Sequence, residues 1–166
     1  MNFILIAIAP LTLVLTVPAQ DRDRTAHGGH AFVLVGAGRF AVLADQNSIE
    51  RDGDAVIMRA LQVGADDLVV AGERYWGGWS WWRFDCGAAT ADRLDFVSVR
   101  EGGAEGPSVA DDAAPYPAAP GGDAAELLIA ACNPDFTAGP AAETVADAVR
   151  AGREALADAS EQVAGG

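Results

Sequence analysis

The stretch Tyr75–Cys86, YWGGWSWWRFDC, constrains the fold more than any other, because it gathers all four tryptophans and one of the two cysteines. Large aromatics in alternation predict a central β-strand. From Trp79 onward, alternation puts Ser80, Trp82, Phe84 and Cys86 on one face and Trp79, Trp81, Arg83 and Asp85 on the other. One face can fill a core while the other meets a ligand. Trp79, Trp81 and Arg83 are therefore the candidate binding residues, since aromatic side chains and arginine dominate interface energies. The competing reading is that a second layer covers this face and makes its tryptophans core.

The second constraint is at the start of the chain. Residues 2–17 are almost wholly apolar and end in Val17-Pro18-Ala19, a small-residue pattern that signal peptidase accepts. Cleavage before Gln20 is expected, with residues 1–19 as a signal peptide. An uncleaved anchor helix is the alternative; the absence of Lys or Arg near Met1 counts against a signal peptide, while the run is short for a membrane span and Asp21-Arg22-Asp23-Arg24 follows at once. Export makes the two cysteines, Cys86 and Cys132, read as a disulfide. Closing the long loop between them would contribute about 4 kcal/mol on the chain-entropy model.

Composition excludes several functions. All 11 basic residues are arginine, which removes lysine Schiff bases, pyridoxal phosphate attachment and the phosphate-loop lysine. A net charge of -13 argues against nucleic acid or an anionic membrane as partner, because such binding begins with phosphate neutralisation.

Along the chain, residues 20–30 read as a flexible polar tail holding both histidines, His27 and His30. A metal site there would lack a preorganised frame, so no metal is expected. Residues 32–35 form a short strand. The following Gly36-Ala37-Gly38-Arg39-Phe40-Ala41 mimics a dinucleotide fingerprint, but a second apolar run, not an amphipathic helix, comes next. Gly36-Ala37-Gly38 is instead a hairpin turn, and no cofactor is expected. Residues 46–54 are a polar crossing ending in an Asp-Gly turn, and residues 55–61 are a third strand. Residues 64–73 read as a loop with a short apolar insert, and Gly77-Gly78 as a break before the tryptophan strand.

Residues 93–100 alternate as another antiparallel strand, residues 102–122 form a long irregular excursion, and residues 123–132 a short helix. Past Asn133-Pro134, residues 141–163 read as a helix with a thin seam at Val145, Val149, Gly152, Leu156, Ala159 and Val163. Small residues in that seam suggest loose packing and a helix separable from the domain.

The series Asp45…Ser48-Ile49-x-Arg51-x-Gly53, then Asp85-Cys86, Arg93 and a final Cys132, resembles the small secreted bacterial domains similar to surface-adhesin protein E. The resemblance covers about residues 31–133. It implies an antiparallel sheet packed with a helix, a Cys86–Cys132 disulfide, and binding to proteins outside the cell such as matrix components, with no catalytic residues. This chain departs from the adhesin in having no cysteine at the cleavage site to lipidate, and in the helix after Asn133.

The expected fold is thus α+β: a small antiparallel β-sheet packed with one or two helices, one disulfide and a C-terminal helix. Residues 31–133 form the adhesin-like domain and residues 134–166 a helical extension. The expected function is an exported, non-catalytic binding protein, periplasmic or extracellular, with a protein or matrix-type ligand. The rival is a hydrolase using paired carboxylates such as Asp85 and Asp95.

Overall fold

The computed structural model describes residues 29–136 and 142–165. The expected signal peptide, most of the tail and His27 lie outside the described residues. The described residues form an antiparallel sheet of eight strands with a helix packed on each face, closed by one disulfide. The strands are β1 (Phe32–Ala37), β2 (Ala41–Asp52), β3 (Ala55–Val70), β4 (Glu73–Asp85), β5 (Thr90–Arg93), β6 (Asp95–Arg100), β7 (Glu105–Ala110) and β8 (Tyr116–Pro117). The helices are α1 (Asp123–Cys132) and α2 (Val145–Ala164).

The tryptophan strand β4 is central. One edge pairs with β3 along its length, and the other is shared by β6 at the Tyr75–Trp79 end and β5 at the Trp82–Asp85 end. Strands β7 and β8 extend the sheet beyond β6 and β5, so two short strands occupy the excursion at residues 102–122.

The long hairpin β3–β4 differs most from expectation. Residues 64–70 continue β3, and β4 runs through Gly77-Gly78 without a break. The turn is at Ala71 and Gly72, both with positive φ. Gly77 is a close-approach residue: a Cβ there would lie 1.9 Å from the Gln62 carbonyl oxygen of β3. The glycine that looks like a breaker is what lets the two strands approach. Opposite it, the register slips between Val63 and Leu68, so the hairpin's far end is offset from the rest of the sheet.

Each face of the sheet buries its own cluster. Val42, Ala44, Val56, Met58, Trp82 and Phe84 meet Leu127 and the alanines of α1. Phe32, Leu43, Leu61, Val63 and Trp79 share the other cluster with Ala148, Val149 and Leu156 of α2. The alternation expected along β4 is therefore present, with both faces used for core.

Helix α2 is not loosely held. Its thin seam is buried at Val149, Gly152 and Leu156, while Val163 at the far end is 84% exposed. Small residues gain from close approach here: the position of a Cβ on Gly152 is 3.0 Å from Ala41 Cβ and 3.4 Å from Leu43 Cδ1. The helix backbone thus lies directly on the sheet, and dispersion contacts replace the side-chain area the seam lacks. A sequence reading of the seam misses this because only the sheet surface opposite shows that a glycine fits.

Candidate functional site

The three candidate residues on β4 divide. Trp79 is fully buried, with ring centroids 5.4 Å from Phe32 and 5.5 Å from His30, and the Arg59 guanidinium stands 4.2 Å from its ring centroid. Arg59 in turn pairs with Glu105 of β7 at 2.8 Å. Further along the strand, Trp81 is half-buried, and Arg83 is exposed and ion-paired with Asp52. Of the three candidates, Trp81 and Arg83 are thus open to solvent. Alternation gave the facing of Trp79 correctly, and the side chains of His30, Phe32 and Arg59 decide its burial.

His30, which sequence reasoning places in the flexible tail, is instead held by side-chain contacts to the sheet. Its Nδ1 donates to the carboxylate of Asp45 at 2.8 Å, and its ring stacks on Phe32 at 4.8 Å. Asp45 is fully buried and also accepts from the backbone N–H groups of Ala31 and Asn47. No local signal announces this pair, because the register of β1 against β2 brings residue 30 beside residue 45. A histidine on a buried carboxylate is a general-base arrangement when a nucleophile is at hand. The nearby hydroxyl of Ser48 is committed elsewhere: it donates to the Asp45 carbonyl oxygen at 2.6 Å and accepts from the Arg59 N–H at 2.8 Å. The pair therefore acts as a tie between the segment before β1 and the bulge in β2. Among the described residues, no cluster of three or more His, Cys, Asp or Glu side chains could hold a metal.

The two carboxylates considered for hydrolysis have structural work. Asp85 accepts from the N–H groups of Gly87 and Ala88 in the turn after β4. Asp95 accepts from the Trp81 N–H at 2.7 Å and from the Ser108 hydroxyl at 2.9 Å. Trp81 lies four residues before Asp85, roughly 13 Å along the strand. Paired-carboxylate glycosidases hold the two groups about 5–9.5 Å apart.

Concavity is found instead at the far end of the β3–β4 hairpin. An apolar groove of about 230 Å³ is walled by Phe40, Leu68, Tyr75, Trp76 and Phe96. Its floor includes Gly77 and Gly78, and a Cβ on Gly78 would lie 2.2 Å from Phe96 Cε2. The missing side chain lets the Phe96 ring lie across the strand. Of the groove's lining, Leu68 is 65% exposed, Phe96 40% and Phe40 38%; Val69 and Val70, which follow Leu68 in β3, are 59% and 50% exposed.

A second cleft, of about 520 Å³, opens between this hairpin and α2, and Trp76 lines both. Asp67 bridges Arg153 of α2 and Arg74 of β4. The Arg153 guanidinium, followed by that of Arg74, holds the Asp67 carboxyl below the usual carboxylate range. Sequence reasoning set this region aside as a loop, and the only signal for it was the apolar insert at residues 68–70.

Compared with protein-family models, curated proteins and solved structures, the chain matches none.

Proposed function

We propose that this chain is an exported, non-catalytic binding protein of the cell envelope, periplasmic or extracellular, that holds a protein partner in the groove at the β3–β4 hairpin end. The observation that carries this reading is the gathering of Phe40, Leu68 and Phe96, all substantially exposed, around one glycine-floored groove. Large apolar side chains grouped on a surface mark interaction sites far more than scattered ones do. The resemblance to surface-adhesin protein E supports the same class of role, with a matrix-type protein as one form of partner. The terminal apolar run supports export, and the Cys86–Cys132 bond is in keeping with an oxidising compartment.

The test is cross-linking in envelope extracts and to matrix proteins, comparing the parent with Leu68→Ser/Phe96→Ser and with Trp81→Ala/Arg83→Ala. Loss of the cross-linked product in the first variant only is the expected result. Loss in the second only would return the contact to the open half of the tryptophan strand, and no loss in either would overturn both sites.

A further inference from the structure

The cleft between α2 and the hairpin differs in chemistry from the apolar groove on the other side of Trp76. Its apolar lining comes from the half-buried Trp76 with Ala146 and Val149. Around these stand three guanidinium groups and three carboxylates, those of Arg74, Arg150, Arg153, Asp67, Glu101 and Glu154. In a chain of net charge -13, this is a locally balanced site.

The six groups are held in pairs. Asp67, whose side chain is 9% exposed, joins Arg74 and Arg153, and Arg74 also meets Glu101 at 3.2 Å. Arg150 lies 3.5 Å from Glu154 and 2.9 Å from Asp147. Arg153 donates further to the Gly64 carbonyl oxygen. Ionised carboxylates only accept and guanidinium groups only donate, so the rim presents fixed donors and acceptors side by side.

That arrangement selects a ligand class. An anion would have to displace a carboxylate from its arginine, and a cation an arginine from its carboxylate. An apolar ligand filling the cleft would strip water from six charged groups without hydrogen-bonding them, which is costly. A neutral molecule with one apolar face and many hydroxyls avoids each penalty. Its C–H face can lie on the Trp76 ring, and each hydroxyl can donate to a carboxylate while accepting from a guanidinium. The cleft volume of about 520 Å³ lies within the range of small-molecule sites, about 300–1,000 Å³.

We infer that the Trp76 cleft is a binding site for a neutral saccharide, recognised by stacking on Trp76 and by hydroxyl contacts with the paired Arg and Asp/Glu side chains of α2 and the hairpin.

The experiment is titration of the disulfide-intact protein with cellobiose, maltose and di-N-acetylchitobiose, and separately with inorganic phosphate, following the indole N–H signals by NMR. The Trp76 signal is assigned from Trp76→Phe. Saturable movement of that signal by at least one saccharide is expected. Exposed-rim variants Glu101→Gln and Arg150→Gln, which need not disturb the core, should each weaken binding at least tenfold with an unchanged Tm. Leu68→Ser/Phe96→Ser should bind the saccharide as the parent does, which separates this site from the protein-binding groove. No movement with any of the three sugars, movement with phosphate instead, or binding indifferent to both rim variants would overturn the inference.

Discussion

The sheet carries a helix on each face, and the two helices are held by different means. Helix α1 has 10 residues, begins at Gly122 without a side-chain cap, and is tied at its last residue to the end of β4 by the Cys86–Cys132 bond. Helix α2 has 20 residues and no covalent tie. It is capped by Thr144, whose hydroxyl oxygen accepts from the Asp147 N–H, and it is seated by Gly152 and clamped by Arg153 on Asp67. A helix of α1's length is marginal alone, so its place depends on burial and the cross-link. Helix α2 instead relies on length, a cap and backbone approach. The same task is done once by chemistry and once by fit.

The comparison breaks most directly if α2 proves dispensable. Deleting residues 143–166 uncovers Phe32, Leu43, Leu61 and Val63, each worth about 1.5–3 kcal/mol when fully buried. The sum is comparable to the whole stability of an ordinary domain. The truncated chain should be unfolded or aggregated by circular dichroism and limited proteolysis. A cooperative transition within a few degrees of the parent would show that the helix is an appendage.

Next in size is the bond on the other face. Cys86→Ser opens a loop spanning 46 positions and should lower stability by about 2–4 kcal/mol in urea unfolding. Hydrogen exchange should accelerate first in α1 and leave α2 protected. Uniform acceleration of both would mean that the two faces form one cooperative unit and that the contrast between them is only geometric.

These effects also show what the sequence made legible. The helix at 123–132, a hairpin joining the first two strands, the antiparallel class and the bridge follow from local pattern and cysteine count, but the turn itself is Gly38-Arg39-Phe40, because Gly36 and Ala37 still pair with β2. The far half of β3 and the continuity of β4 do not, because Gly64, Gly77 and Gly78 suggest breaks when read locally. The use of Gly77 and Gly78, clearance for a carbonyl and a phenyl ring, exists only once β4 is paired with β3 and β6. The candidate site suffered likewise. Trp79 faces where alternation puts it, yet its burial depends on His30 and Arg59, whose roles are fixed by register. The groove and cleft each take part of their lining, Gly64, Asp66 and Leu68 for one and Asp67 for the other, from the segment that local composition assigned to a loop.

A finer probe is the seat of α2. Glycine in a helix costs about 1 kcal/mol relative to alanine, so its presence at 152 is disfavoured by propensity and favoured only by fit. Gly152→Val should push the helix from Ala41 and Leu43 and cost about 1–3 kcal/mol, the range of overpacked cores. The equivalent insult to α1, Ala130→Val, should do less to the position of its helix, because the disulfide still holds its end. Equal displacement of the two helices in the variant structures would erase the distinction between tie and fit.

The smallest effect is expected from acid, and it acts on only one face. Asp67 links the hairpin to α2, and its carboxyl is held below its ordinary value chiefly by the Arg153 hydrogen bond. A carboxyl depressed in the folded state stabilises the fold above its unfolded value of about 3.9 and loses that contribution as pH falls through the folded value. Among the described residues no salt bridge joins α1 to the sheet: its Asp123 carboxylate accepts from the neutral Gln62 amide of β3 at 2.9 Å, and its covalent bond does not titrate. Between pH 5 and pH 3 the parent should therefore lose stability more steeply than Asp67→Asn, and the two curves should converge at the acid end. The added loss should appear as faster exchange in the half of α2 around Arg153, with α1 unchanged. Parallel curves for parent and variant would show that the Asp67–Arg153 pair is a solvated surface contact, leaving α2 to depend on its cap and its glycine seat alone.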